Sequence, residues 1–175
     1  MITLSLSVGE AIRLKRAVRQ FKADLLPEDV VVAILNAGRR AQSSKNTQPW
    51  HFIAITDKAI LQALSACGPY AGHLADAALG VAILTADPAQ RFSIMFDAGQ
   101  AAAYMQLAAW EQGVGSCLAT IYEPELARQI LSFPEEFHLR IAISFGYPLD
   151  EQAISRPPRP GGRRSLDEVV HWEKW

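Results

Sequence analysis

"DAGQAAAYMQLAAWEQGVGSC", residues 97–117, contains the longest helical pattern in the chain. Residues 97–112 are predicted to form a helix, and Gly113 is placed to end it as a C-cap. A helix that is apolar on nearly all sides must be covered on several of them, by its own domain or by a second chain. The large apolar residues that cannot all face one small core are Tyr104, Met105, Leu107 and Trp110.

The elements around this helix predict an α+β fold in one domain that spans residues 1–175. Helices and strands are mixed without a strict strand–helix–strand alternation, and we find neither an internal repeat nor a linker between domains. Residues 148–162 read as an extended connector. Strands are predicted at 50–56, 78–86, 116–121 and 139–145, and further helices at 7–17, 27–40, 57–66, 123–131 and 165–175.

Composition excludes several classes of protein. Half of the residues are apolar and a fifth are charged, and the net charge of -1 predicts no general attraction to nucleic acid or to an anionic membrane. The longest apolar stretch, residues 77–84, is too short to cross a bilayer. Two cysteines without metal-ligand spacing and the absence of a signal segment predict a cytoplasmic protein.

Basic residues are concentrated near the two ends of the chain. Of the 17 Lys and Arg residues, nine lie in two windows without any acid, 11–23 and 152–166. A solvated basic face explains one such window, but two windows favour an anion pocket, because arginine matches phosphate in a bidentate geometry. Nucleic acid is the competing anion, although only Phe21 interleaves with the first window and no nucleic-acid motif is present.

Side chains that could carry chemistry are scarce. The stretch "SSKNTQPW", residues 43–50, is rich in neutral hydrogen-bonding groups and contains no carboxylate, and the four histidines lack metal spacing. Asp97 could be a general base, but an Asp that opens an apolar helix is more often a residue that caps the helix or interacts with its dipole. The scarcity of such groups points to a cofactor that carries the reaction while the protein positions it.

Five stretches together resemble the flavin-dependent nitroreductase family, in the right order and over nearly the whole chain. The most specific is "SSxNxQPW" preceded by an "RxxR" segment. The stretches are "KRAVRQF" (15–21), "AQSSKNTQPWHF" (41–52), "DAGQAAAYMQLAAWEQGVGSC" (97–117), "FGYP" (145–148) and "GRRSLDEVVHWEKW" (162–175).

The resemblance implies a nitroreductase-like fold, with a central mixed or antiparallel sheet sandwiched by helices. It also implies a homodimer that binds FMN at the subunit interface. NADH or NADPH would reduce the flavin, and a small-molecule acceptor such as a nitroaromatic or a quinone would take the electrons in a ping-pong cycle. The chemistry would be carried by flavin N5, so no catalytic side chain and no metal ligand is assigned.

The site residues implied by the resemblance fall into four groups. The first group contacts the phosphate and ribityl chain, and Ala17 stands there where the family usually has Ser. The second is a loop contributed by the partner chain, the third presents backbone N–H groups to the flavin ring, and the fourth closes on the phosphate. In that order they are Lys15, Arg16, Ala17 and Arg19; Ser43, Ser44, Asn46 and Gln48; Leu118, Ala119, Thr120 and Ile121; and Arg163 and Arg164.

Two departures from the family pattern affect what the resemblance implies about the site. Gln42 replaces a common Pro, and residues 86–97 connect strand to helix where family members commonly carry a longer excursion over the flavin. We therefore expect a minimal member with a more open site. A flavin-binding sensor or carrier without a dedicated substrate, and a nucleotide- or nucleic-acid-binding module, remain as alternatives to an enzyme.

Overall fold

The order of helices and strands follows the order expected from the sequence. In the computed structural model, residues 7–157 and 162–175 are described. The helices are α1 (Val8–Leu14), α2 (Glu28–Arg39), α3 (Lys58–Ser65), α4 (Ser93–Glu111) and α5 (Pro124–Leu131). The strands are β1 (Trp50–Ile55), β2 (Leu79–Thr85), β3 (Gly115–Thr120) and β4 (His138–Gly146).

One four-stranded sheet, in the order β1-β2-β4-β3, organises the molecule, and each neighbouring pair is antiparallel. Every residue of β2 is buried, as expected for an uncharged strand in the middle of a covered sheet. The edge strands are β1 and β3. Residues that precede β1 and residues beside β3 therefore lie at opposite edges of the sheet.

Helices cover both faces of the sheet, which confirms the predicted α+β sandwich. Alternate side chains of β2 and β4, such as Val81 and Ile143, pack with α2 and α4 around Met105. The intervening residues, such as Ala82, pack with α3 and α5 around Leu61. The sheet is therefore the common wall of two apolar cores.

Helix α4 is the central helix of the first layer. It ends as predicted, with Gly113 at φ 73° in the left-handed region. Its start was predicted wrongly: the helix begins at Ser93 rather than at Asp97, because Ile94 is drawn into the core and extends it by a turn. Phe92 and Phe96, at its N-terminal end, remain exposed.

Both ends of the chain depart from the prediction. Helix α1 has the expected capping box between Ser7 and Glu10, but it stops at Leu14 because the following residues extend along β3. The connector contains a short 3-10 turn, Glu151–Ala153, and its residues 158–161 lie outside the described part. No helix forms at 165–175, where the chain makes only turns and Trp172 and Trp175 are exposed.

Candidate functional site

Residues 15–19, called the basic segment below, are fixed along the edge of β3. Ala17 forms a parallel bridge with Ser116, and the N–H of Val18 donates to the carbonyl of Ser116 at 2.9 Å. The close approach requires Gly115, because a Cβ there would lie 2.7 Å from the Cβ of Val18. Backbone packing therefore holds Lys15, Arg16, Ala17 and Arg19 at one end of β3.

The side of β3 that faces away from β4 carries backbone N–H groups beyond this bridge. Because Ser116 directs its polar groups away from β4, alternation along the strand directs those of Leu118 and Thr120 the same way. Ala119 pairs with β4, and the N–H of Ile121 already donates to the carbonyl of Arg140 at 2.9 Å. Of the four residues predicted to present N–H groups, Leu118 and Thr120 can therefore do so.

Positive charge surrounds this end of β3. Burial lowers the pKa of the half-buried Lys15, although the nearby Cys117 acts in the opposite direction. Burial likewise raises the pKa of the Cys117 thiol, and the charges of Arg19 and Lys15 oppose that rise. An anion placed here would favour the charged form of Lys15 and so oppose the effect of burial.

A buried histidine lies behind the same strand. His73 Nδ1 is 2.7 Å from Ser144 Oγ, and its Nε2 has no hydrogen-bond partner among the described residues. Burial lowers the pKa of His73, and the charge of Arg19 lowers it further. The nearby carbonyl of Leu118 favours the protonated ring and so opposes both effects. The imidazole is therefore held in its neutral form beside the basic segment.

Residues 43–48, called the polar loop below, adopt an unusual backbone. Lys45, Asn46 and Gln48 have φ values of 54°, 54° and 46°, in the left-handed region. For residues other than glycine this conformation costs about 1–2 kcal/mol each. Hydrogen bonds within the loop offset part of that cost, including one from the N–H of Gln48 to Ser43 Oγ at 2.9 Å.

Two side chains near the start of α4 attach the polar loop to the body of the protein. The N–H of Ser44 donates to Asp97 Oδ1 at 3.1 Å, and Arg91 donates to Thr47 Oγ1 at 2.6 Å. Asp97 is only 3% exposed and does not cap α4, so its predicted capping role is wrong. The helix starts four residues earlier, which leaves this carboxylate free to bind the loop.

The polar loop and the basic segment lie at opposite corners of the sheet. Three interstrand spacings separate the edge strands, which is about 14 Å. Along the sheet, Trp50 pairs with Thr85, whereas Phe145, the partner of Ser116, pairs with Leu79. Those positions are six residues apart along β2, or about 20 Å. One chain therefore does not bring the two groups into a common pocket.

The C-terminal connector returns to the basic segment. Phe21 and Pro148 form an antiparallel bridge, and Arg16 donates to the carbonyl of Arg156. Beyond the connector, Arg163 donates to the carbonyl of Gly162 and the surrounding tail is exposed. The structure thus brings the chain back to the basic segment seven residues before Arg163, but Arg163 and Arg164 make no hydrogen bond with residues 15–19.

Neither a metal cluster nor a membrane-spanning helix is found among the described residues. In residues 7–157 and 162–175, no three His, Cys, Asp or Glu side chains come together in a way that could hold a metal ion. Within the same ranges, the helices are too short or too polar to cross a membrane.

Comparisons with known proteins agree with this architecture. The chain matches the profile of the nitroreductase family over residues 12–80 and 62–147. A protein of Methanothermobacter thermautotrophicus, provisionally named NADH dehydrogenase/NAD(P)H nitroreductase, is 27% identical over 177 residues, covering 97% of this chain and 88% of that protein. An NADH dehydrogenase of Thermus thermophilus is 28% identical over 195 residues, covering 90% of this chain and 92% of that protein.

A solved structure gives the same result in three dimensions. An FMN-dependent nitroreductase from Clostridium difficile R20291 superimposes with a TM-score of 0.84 at 27% sequence identity, covering 94% of this chain and 98% of that one. The profile match includes the basic segment, the polar loop and all four strands. The chain belongs to the nitroreductase family.

Proposed function

We propose that the protein is an FMN-dependent oxidoreductase that takes electrons from NADH or NADPH and passes them to a small-molecule acceptor, such as a nitroaromatic or a quinone. The observation that carries the proposal is the basic segment fixed along β3, next to outward-facing backbone groups of Leu118 and Thr120. The bound flavin would supply the hydride acceptor and donor, which the described side chains do not provide.

The basic segment suits the phosphate of FMN. Lys15, Arg16 and Arg19 lie within five residues and have no acid among them. Charge-assisted hydrogen bonds from such groups to phosphate are stronger than neutral ones. We assign Arg163 and Arg164 to the same phosphate, because the connector that precedes them already contacts Arg16.

Backbone groups of β3 suit the ring of the flavin. The N–H groups of Leu118 and Thr120 would face the ring edge where negative charge develops on reduction. Preorganised N–H donors stabilise such charge without having to reorient during the reaction. The fixed register between β3 and β4 holds these donors in place.

The polar loop of a second chain suits the ring of the same flavin. Its neutral Ser, Asn and Gln side chains can hydrogen-bond carbonyl oxygens and ring nitrogens without repelling the phosphate or the reduced ring. One chain holds this loop and the basic segment at opposite corners of its sheet, so we propose a homodimer in which each flavin contacts both protomers. Phe92, which precedes α4, and Phe96 and Tyr104 of α4 are exposed and supply apolar surface for such an interface.

The reducing cytoplasm is the location that we propose for the protein. Cys67 and Cys117 are both free and buried, which suits a compartment in which thiols stay reduced.

Identification of the cofactor tests the proposed function. Heating the purified protein should release FMN, which chromatography separates from FAD and from riboflavin. FAD as the main species, or no flavin even after incubation with an excess of FMN, would contradict the proposal. Bound FMN that neither nicotinamide cofactor can reduce would support a flavin carrier or sensor instead.

A further inference from the structure

Two residues near the start of α4, Arg91 and Asp97, contact the polar loop. The polar loop has three left-handed residues that are not glycine, and its internal hydrogen bonds close the loop on itself. Those bonds do not set its orientation on the protein. Among the described residues, two side-chain contacts join the loop to the rest of the protein, from the N–H of Ser44 to Asp97 and from Arg91 to Thr47.

Asp97 is an unusual residue to find in this position. It is buried to 97% of its surface in a helix that is otherwise almost entirely apolar, and its Oδ2 has no hydrogen-bond partner within the described residues. Arg91 Nη2 lies 3.9 Å from that oxygen. A buried carboxylate is unfavourable unless its contacts compensate for the lost hydration, and the contacts seen here are the loop and Arg91.

We propose that Asp97 and Arg91 are positioning residues that hold the polar loop in its flavin-binding conformation. Asp97 fixes the backbone at Ser44, and Arg91 fixes the side chain of Thr47, so the residues on either side of Lys45 and Asn46 are attached near the start of α4. The ion pair between them couples the two attachments. This inference rests on the proposed function for the identity of the ligand, but the attachment of the loop is independent of it.

Amide hydrogen exchange of the full-length protein tests the attachment without any ligand. Removal of the acceptor in Asp97→Ala should speed exchange at the Ser44 amide about tenfold or more, because protection there depends on one hydrogen bond. Asp97→Asn retains an acceptor oxygen and should restore most of the protection. Ser93→Ala is the matched control, since it removes a hydroxyl of α4 that has no hydrogen-bond partner in the described part of the chain.

A second variant keeps the test decisive if Asp97→Ala does not fold. Arg91→Ala removes the contact to Thr47 and should speed exchange at the Gln48 amide, which closes the loop onto Ser43. Unchanged exchange at Ser44 in Asp97→Ala, or at Gln48 in a folded Arg91→Ala, would overturn the proposal.

An FMN titration of the same variants tests the link to the ligand. We expect about tenfold weaker FMN binding in Asp97→Ala and near wild-type binding in Asp97→Asn and Ser93→Ala. Faster exchange with unchanged FMN affinity would overturn the positioning role. Failure of the wild-type protein to bind FMN would instead overturn the proposed function, and the exchange measurement would still judge the attachment of the loop.

Discussion

Gly115→Ala is the substitution that most directly separates the position of the basic segment from its charge. A Cβ at residue 115 would lie 2.7 Å from Val18 Cβ and 2.8 Å from each of its γ-carbons, whereas ordinary contacts begin near 3.4 Å. The segment must therefore move by about 0.7 Å, since rigid backbone on both sides cannot absorb the clash. That movement lengthens the 2.9 Å hydrogen bond from Val18 to Ser116 beyond a useful distance.

These two changes lower the free energy of unfolding. Overpacking costs about 1–3 kcal/mol of that stability, and the lost hydrogen bond costs about 0.5–1.5 kcal/mol. Because Lys15, Arg16 and Arg19 are retained but displaced from the outward N–H groups of β3, we expect FMN to bind roughly tenfold more weakly, a difference of about 1.4 kcal/mol.

Titration of apo-protein with FMN, followed by quenching of flavin fluorescence, measures the effect. Gly9→Ala is the matched control, because a Cβ at that position meets no atom of the described residues within 4 Å and alanine suits the helix better. Circular dichroism checks that both variants fold. If folded Gly115→Ala binds FMN with wild-type affinity, the basic segment does not hold the cofactor from its place beside β3.

Three further predictions follow from the same structure. Arg19→Ala and Arg164→Ala should each weaken FMN binding roughly ten- to a hundredfold, through the loss of charge-assisted hydrogen bonds; unchanged affinity in both would remove them from the phosphate site. Because the pKa of His73 is lowered in the folded state, the unfolded state binds more protons below about pH 6.5, and stability should fall with decreasing pH by at most about 1.4 kcal/mol per pH unit. His73→Gln should flatten that slope in denaturant titrations, with the exposed His51→Gln as control; a slope that His73→Gln leaves unaltered would contradict the neutral, buried imidazole. Sedimentation should show a homodimer at micromolar concentration, and a stable monomer would exclude a site made by two chains.

Much of the fold could be predicted because the apolar pattern of the sequence agrees with the burial of residues in the structure. The uncharged run of β2 predicted a strand covered on both faces, and the structure places it in the middle of the sheet. Gly113 predicted the end of α4 because only a residue that tolerates positive φ fits there easily. Such signals are local, so the sequence alone contains them.

The errors arose where long-range packing decides the outcome. Residues 93–96 read as connector, but burial of Ile94 against the core carries the helix through them. In the tail, the N–H of Ser165 donates to the side chain of Glu168 at 2.7 Å, as a capping box requires, yet no helix follows because Leu166 and Trp172 are largely exposed. A cap does not stabilise a short helix without an apolar surface to cover.

In the candidate site, too, local features could be predicted and long-range contacts could not. The basic windows and the neutral loop were evident from composition, because they depend only on which residue types occur together. The role of Asp97 was not, since its contact with Ser44 joins residues that are 53 positions apart. The one available signal was a single carboxylate at the start of an apolar helix, which local rules assign to capping.

The reduction of bound flavin by a nicotinamide cofactor tests the central claim most directly. The purified protein should be yellow, and anaerobic addition of NADH or NADPH should bleach its visible absorption. Addition of a quinone or a nitroaromatic compound should then restore the colour, since the acceptor takes the electrons. A colourless protein that does not bind FMN, or a bound flavin whose absorption neither nicotinamide cofactor changes, would contradict the account.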